Sequence, residues 1–159
     1  MYEETEDAEM LAVAYHEAGH AVAMLVLGYE FSHVAIGEWV ESLRAAGNVV
    51  HKRFGRDMMV ADKLVIILAG PIALAEYEDF EDIRDYYCDP RADGDMETAE
   101  ALAEHLSDAD YTHCEDRAIA LVRTHWNAID RIAIALYCTR LLSYRKVAAL
   151  FAPPEKHAA

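Results

Sequence analysis

From about Ala8 to Leu27 apolar residues recur at the spacing of a helix, and in the middle of that run stands Ala14-Tyr-His-Glu-Ala-Gly-His-Ala21. On a helix His16 and His20 project from the same face one turn apart, near enough to share one metal ion, with Glu17 beside them. Leu11 to Tyr15 precede the pair, and Ala18, Ala21, Val22, Ala23, Leu25 and Val26 follow it, so part of the motif must be buried. A buried histidine pair next to a carboxylate needs partners, and a metal ion supplies one. Zinc in such a place supplies a Lewis acid and an acidified water, whose proton Glu17 can take as it attacks a carbonyl. H-E-x-x-H is only five residues long and also occurs in helices that bind nothing, so the rest of the chain must add to it.

A chain of 159 residues can bury one sizeable core, which predicts a single domain over 1–159 with a loose tail from about residue 152. The apolar fraction of 54% and the recurring three-to-four residue period predict a mainly α fold. A formal net charge of -15 repels phosphate backbones and argues against nucleic acid as a partner. Cys88, Cys114 and Cys138 lack C-x-x-C spacing, as expected of thiols kept reduced. The acidic start Met1-Tyr-Glu-Glu-Thr-Glu-Asp is unlike a signal peptide, and runs such as Leu64 to Leu74 are too short to cross a bilayer. A cytoplasmic protein without a membrane anchor is the expectation.

The first helix is expected to be capped by Thr5 and to stop at Gly28. Phe31 to Ile36 and Asn48 to Phe54 read as short strands that pair as a small sheet or hairpin, with Trp39 to Ala46 open to a helical turn. His33 and His51 in these runs read as ordinary strand histidines rather than ligands. Asp57 to Leu68 is a second helix, and Pro71 either kinks it or starts a new one. Between Glu76 and Glu100 eleven of twenty-five residues are acidic, which reads as a mostly solvated loop. Asp95 then opens the periodic run Met96, Ala99, Leu102, Ala103 and Leu106 from a helix cap or first turn. Asp110 to Trp126 and Asn127 to Leu142 are further helices, and Ser143 caps a short last one to Leu150.

Two histidines leave a catalytic zinc site one protein ligand short of three. Glu78 and Asp82 have the spacing of a downstream Glu-x-x-x-Asp, with Glu76 close by, while Asp95 is the candidate if the third donor comes from a distant helix start. A third histidine in the extended motif is excluded, because Ala23 and Val26 occupy the required positions.

His16-Glu-Ala-Gly-His-Ala-Val22, Leu68-Ala-Gly70 with Ala75-Glu76, and Asp95-Met-Glu-Thr-Ala99 with Leu102-Ala103 together resemble the zinc peptidase domain of the FtsH-type, or cell-division protease, family. The resemblance covers most of the chain. It implies a zincin-like helical peptidase fold, Zn2+ held by His16, His20 and Asp95, and Glu17 as general base, with Glu76 orienting a ligand histidine. Pro71 departs from the family's helix-compatible residue, and Ala75-Glu76 is only part of its usual signature. No phosphate-binding glycine loop stands in these 159 residues, so the expected substrates are peptides or flexible protein segments rather than folded proteins. Family members work as rings, which makes a homo-oligomer an expectation. The competing expectation is a catalytically inactive, metal-binding protein-interaction module of the same fold.

Overall fold

The computed structural model describes residues 2–37, 47–50 and 58–153, with side chains for 5–37 and 58–153. Its longest element is one uninterrupted helix, α1 (Tyr2–Val26), which at 1.5 Å per residue is about 38 Å long. It begins before Thr5, which lies inside it rather than capping it; glutamate is a good helix former, and Glu3 and Glu4 precede Thr5 in the sequence. Gly28 ends it as expected. Its φ of 82° is one that side chains avoid, and the amides of Gly28 and Tyr29 turn back to the carbonyls of Leu25 and Met24.

The strands β1 (His33–Ile36) and β2 (Gly47–Val50) follow and pair antiparallel, Val34 opposite Val49. The expected extension of the second strand to Phe54, His51 and the Trp39 to Ala46 turn lie outside the described residues, except that Gly47 opens β2. A third strand, β3 (Leu141–Ser143), was not foreseen; it pairs antiparallel with the other edge of β1, Val34 opposite Leu142, in the order β2-β1-β3. Three residues wedged between two helices carry no periodicity to reveal them.

The helix α2 (Val60–Tyr77) runs through Pro71 without interruption and is buried along nearly all of Leu64–Ala75. Pro71 removes one backbone bond, but burial of the surrounding apolar side chains holds both halves in line. After α2 the acidic stretch keeps most of its carboxylates exposed, as expected, but it is not an irregular loop. It forms two 3₁₀ segments, Ile83–Cys88 and Pro90–Ala92, and the first turns of α3 (Asp93–Ala103). Ile83 and Tyr86 are buried there, and the Tyr86 hydroxyl donates to buried Glu115 at 2.7 Å, an apolar and aromatic anchoring that a count of charges overlooks.

Ser107 caps α4 (Asp108–Thr124); α5 (Trp126–Thr139) restarts after His125; Ser143 caps α6 (Tyr144–Phe151) by accepting from the Lys146 amide. The core sits where α1 packs on α2 and α5, and α2 on α4 and α3. The close approach of α1 to α2 depends on small residues: a Cβ at Gly19 would lie 2.5 Å from the Ala69 carbonyl oxygen and 2.6 Å from the Ala73 Cβ. Mainly helical with a small sheet after the first helix, this architecture bears out the fold class read from the sequence. Among the described residues no helix is long and apolar enough to cross a membrane.

Candidate metal centre

His16 and His20 sit at mid-length on α1, where the helix is buried between its neighbours, and only 11% and 12% of their side-chain surface remains exposed. Their Nε2 atoms face each other at 3.1 Å. Asp95, the third residue of α3, meets both rings, its Oδ2 lying 2.7 Å from His16 Nε2 and 3.3 Å from His20 Nε2. Glu17 is buried beside them, its carboxylate within 4.8 Å of the histidine ligand atoms. His16, Glu17 and His20 thus form a cluster with the arrangement of a generic zinc-metallopeptidase site, a carboxylate standing where it could activate a water.

Two neighbours fix the His20 ring. Its Nδ1 is 2.8 Å from the Ile66 carbonyl oxygen on α2, so Nδ1 is the donor and the lone pair of the neutral ring lies on Nε2. Its face rests on Gly70, where an added Cβ would come within 2.3 Å of Nε2 and 2.4 Å of Cε1. Only a residue without a side chain leaves room for the imidazole there. Backbone groups of α2 therefore orient a side chain of α1, which no side-chain pattern in the sequence announces.

The donors fit a divalent ion. Two imidazole nitrogens and a carboxylate oxygen are a set that zinc accepts, and at bond lengths of about 2.0–2.1 Å neighbouring donors on a tetrahedron stand roughly 3.3 Å apart. The three separations here, 2.7, 3.1 and 3.3 Å, approach that spacing. A proton can satisfy one of these contacts at a time, whereas a cation among them satisfies all three.

Without an ion the site asks for positive charge by other means. Burial pulls the His20 imidazolium down, but the Asp95 carboxylate outweighs it and the ring is pushed up to about 9. Burial raises Asp95, yet His20 and His16 hold its carboxyl well below the usual carboxylate range. Glu17 is raised, by burial first, with His20 and His16 pulling it back and Asp95 adding to the rise.

The other carboxylates singled out in the sequence have different partners. Glu76 lies 3.4 Å from Arg123 Nε, Glu78 accepts from Arg91, and Asp82 caps the first 3₁₀ segment through the Arg84 amide. Among the described residues none of the three is hydrogen-bonded to His16 or His20, and the carbonyl of Ile66 stands where Glu76 was expected to orient a ligand. His33 takes the Ser32 hydroxyl as its neighbour at 3.0 Å. No protein-family model matches the chain, and no curated protein matches it either.

Proposed function

We propose that the chain is a zinc-dependent metallopeptidase of the FtsH type, hydrolysing peptide bonds in peptides or flexible protein segments. What supports this is the convergence of His16 Nε2, His20 Nε2 and Asp95 Oδ2 within 3.3 Å of one another, with Glu17 alongside. His16, His20 and Asp95 would hold the ion, which when bound supplies a Lewis acid for the scissile carbonyl and lowers the pKa of water.

The chain's own groups do the rest. Glu17 takes a proton from the attacking water on a carboxylate oxygen and returns it to the nitrogen of the leaving amine. The Ile66 carbonyl holds the His20 proton on Nδ1, which keeps Nε2 free for bonding. Gly70 holds the ring in place from beneath. The walls of α1 and α2 exclude bulk water from the buried side of the site.

The same reading takes residues 1–159 as one domain in the cytoplasm, where free Cys88, Cys114 and Cys138 stay reduced, and as a self-associating chain. The charge of -15 disfavours nucleic acid as a partner.

The deciding experiment combines elemental mass spectrometry of the purified protein with cleavage of an unstructured fluorogenic peptide. About one zinc per chain is expected, lost in Asp95→Ala and kept in Glu17→Gln, with cleavage reduced roughly 10²–10⁴-fold in Glu17→Gln. A wild-type chain that takes up no zinc would sink the reading. Zinc uptake with no cleavage of any flexible substrate would leave a metal-bearing interaction module instead.

A further inference from the structure

Beside the metal centre, outside contact with it, Arg91 joins two carboxylates from different parts of the chain. Its Nη1 and Nη2 reach the two oxygens of Glu78 at 2.7 and 2.5 Å, a fork-to-fork pair, while Nε and Nη2 reach Asp89 at 2.9 and 2.5 Å. The Arg91 amide also donates to Asp89 at 2.9 Å. The Asp89 side chain is only 9% exposed, so the clamp is partly sunk into the molecule.

Its place in the chain gives the clamp its meaning. Glu78 is the residue that closes α2, the same helix whose Ile66 carbonyl and Gly70 surface orient His20. Arg91 stands four residues before Asp95, at the junction of the second 3₁₀ segment and α3. The 3₁₀ segments have short, weaker hydrogen-bond ladders than an α-helix and cannot by themselves hold Asp95 to a fraction of an ångström. The Tyr86 to Glu115 bond anchors the far end of that stretch, nine residues from Asp95. Through Glu78 and Arg91, Asp95 is tied to the helix that positions His20.

We propose that Arg91 is a positioning residue of the metal centre, its clamp on Glu78 and Asp89 holding Asp95 at the distance from His16 and His20 that ion binding needs. This rests on Asp95 being a donor, as proposed above. The Arg91 to Glu78 pair is largely exposed and adds little to global stability, so that arm of the clamp acts on geometry more than on folding. Lysine cannot replace it, because an ammonium group does not reach two carboxylates in a planar fork.

The test is titration of the metal-free full-length chain with Co2+, read by its visible absorption bands, and with Zn2+ by competition. Arg91→Ala is expected to weaken Co2+ binding about 10- to 100-fold, the range for groups that orient ligands, and to change the intensity of the bands as coordination changes. Arg91→Lys should recover only part of the affinity. Binding and spectrum equal to wild type in Arg91→Ala, with Asp95→Ala deficient, would overturn the clamp and leave the donor assignment standing. Wild-type binding by Asp95→Ala would overturn both. Should Arg91→Ala fail to fold, Glu78→Gln decides: it keeps the arginine and the shape, and weaker binding supports the clamp while unchanged binding overturns it.

Discussion

Gly70 shows how much one absent side chain can decide. A methyl group there would overlap the His20 ring at 2.3 Å, and the ring is already held from the other side by the Ile66 carbonyl. Gly70→Ala should therefore displace the imidazole and weaken zinc binding by at least about tenfold, as losses of groups that orient ligands do. Alanine is the better helix former by about 1 kcal/mol, so the loss of metal need not bring a comparable loss of helix stability. Isothermal titration with zinc beside a urea melt separates the two; unchanged affinity would refute the steric account. His16, Glu17 and His20 were legible from five letters because their chemistry depends on helical spacing alone. The carbonyl of Ile66 was not, since every residue has one.

Among elements, the α1 and α2 pair decides the site, and its closeness comes from small residues. Gly19→Ala places a methyl 2.5 Å from a backbone oxygen of Ala69, an atom that cannot swing aside. The helices must then part, at a cost of about 1–3 kcal/mol, the usual range for overpacking. Urea denaturation of the metal-free protein measures this directly, and a change below a few tenths of a kcal/mol would contradict the packing described. The cap of α4 offers a contrast remote from the site. Ser107 accepts from the Asp110 amide at 3.1 Å, and Ser107→Ala should cost about 1 kcal/mol without altering zinc affinity. Helices were largely readable because they follow local spacing, and so was the Ser143 cap, but Thr5 lies inside α1 and the Ser107 cap was not foreseen. The third strand was not, because Leu141–Ser143 becomes a strand only by lying against β1.

At the scale of the molecule, the ion and the acidic surface set the conditions for stability. On the proposed ligand set of His16, His20 and Asp95, zinc binds the folded chain and bridges α1 to α3; at a free concentration of 100 times Kd it should stabilise the fold by about 2.7 kcal/mol. Differential scanning calorimetry with and without a chelator checks this, and equal midpoints would contradict it. Acid should act on the clamp as well. Arg91 hydrogen bonds hold the Asp89 carboxyl below its ordinary value against the opposing effect of burial, with His16 on α1 adding to the lowering and Glu78 at the end of α2 sharing the guanidinium. A carboxyl lowered on folding stabilises the folded state above its unfolded value of about 3.9, and this is lost as pH falls through the folded value. Asp89→Asn should thus be less stable than wild type at neutral pH, the difference shrinking below about pH 4. A difference constant down to pH 2 would refute it.

The sequence by itself determined the helical class, the buried H-E-x-x-H face, the stop at Gly28 and the place of Asp95 in a first helical turn, because each follows from interactions within a few residues. It also held two options for the third donor, separated by spacing alone. Only the tertiary structure brought Asp95 Oδ2 to 2.7 Å from His16 and turned Glu78 toward Arg91, since those distances depend on how α3 and the end of α2 pack across some eighty residues of chain. The same packing gave the acidic stretch a fixed course of 3₁₀ and helical turns, because Ile83 and Tyr86 are buried on one side while most of its carboxylates still face water.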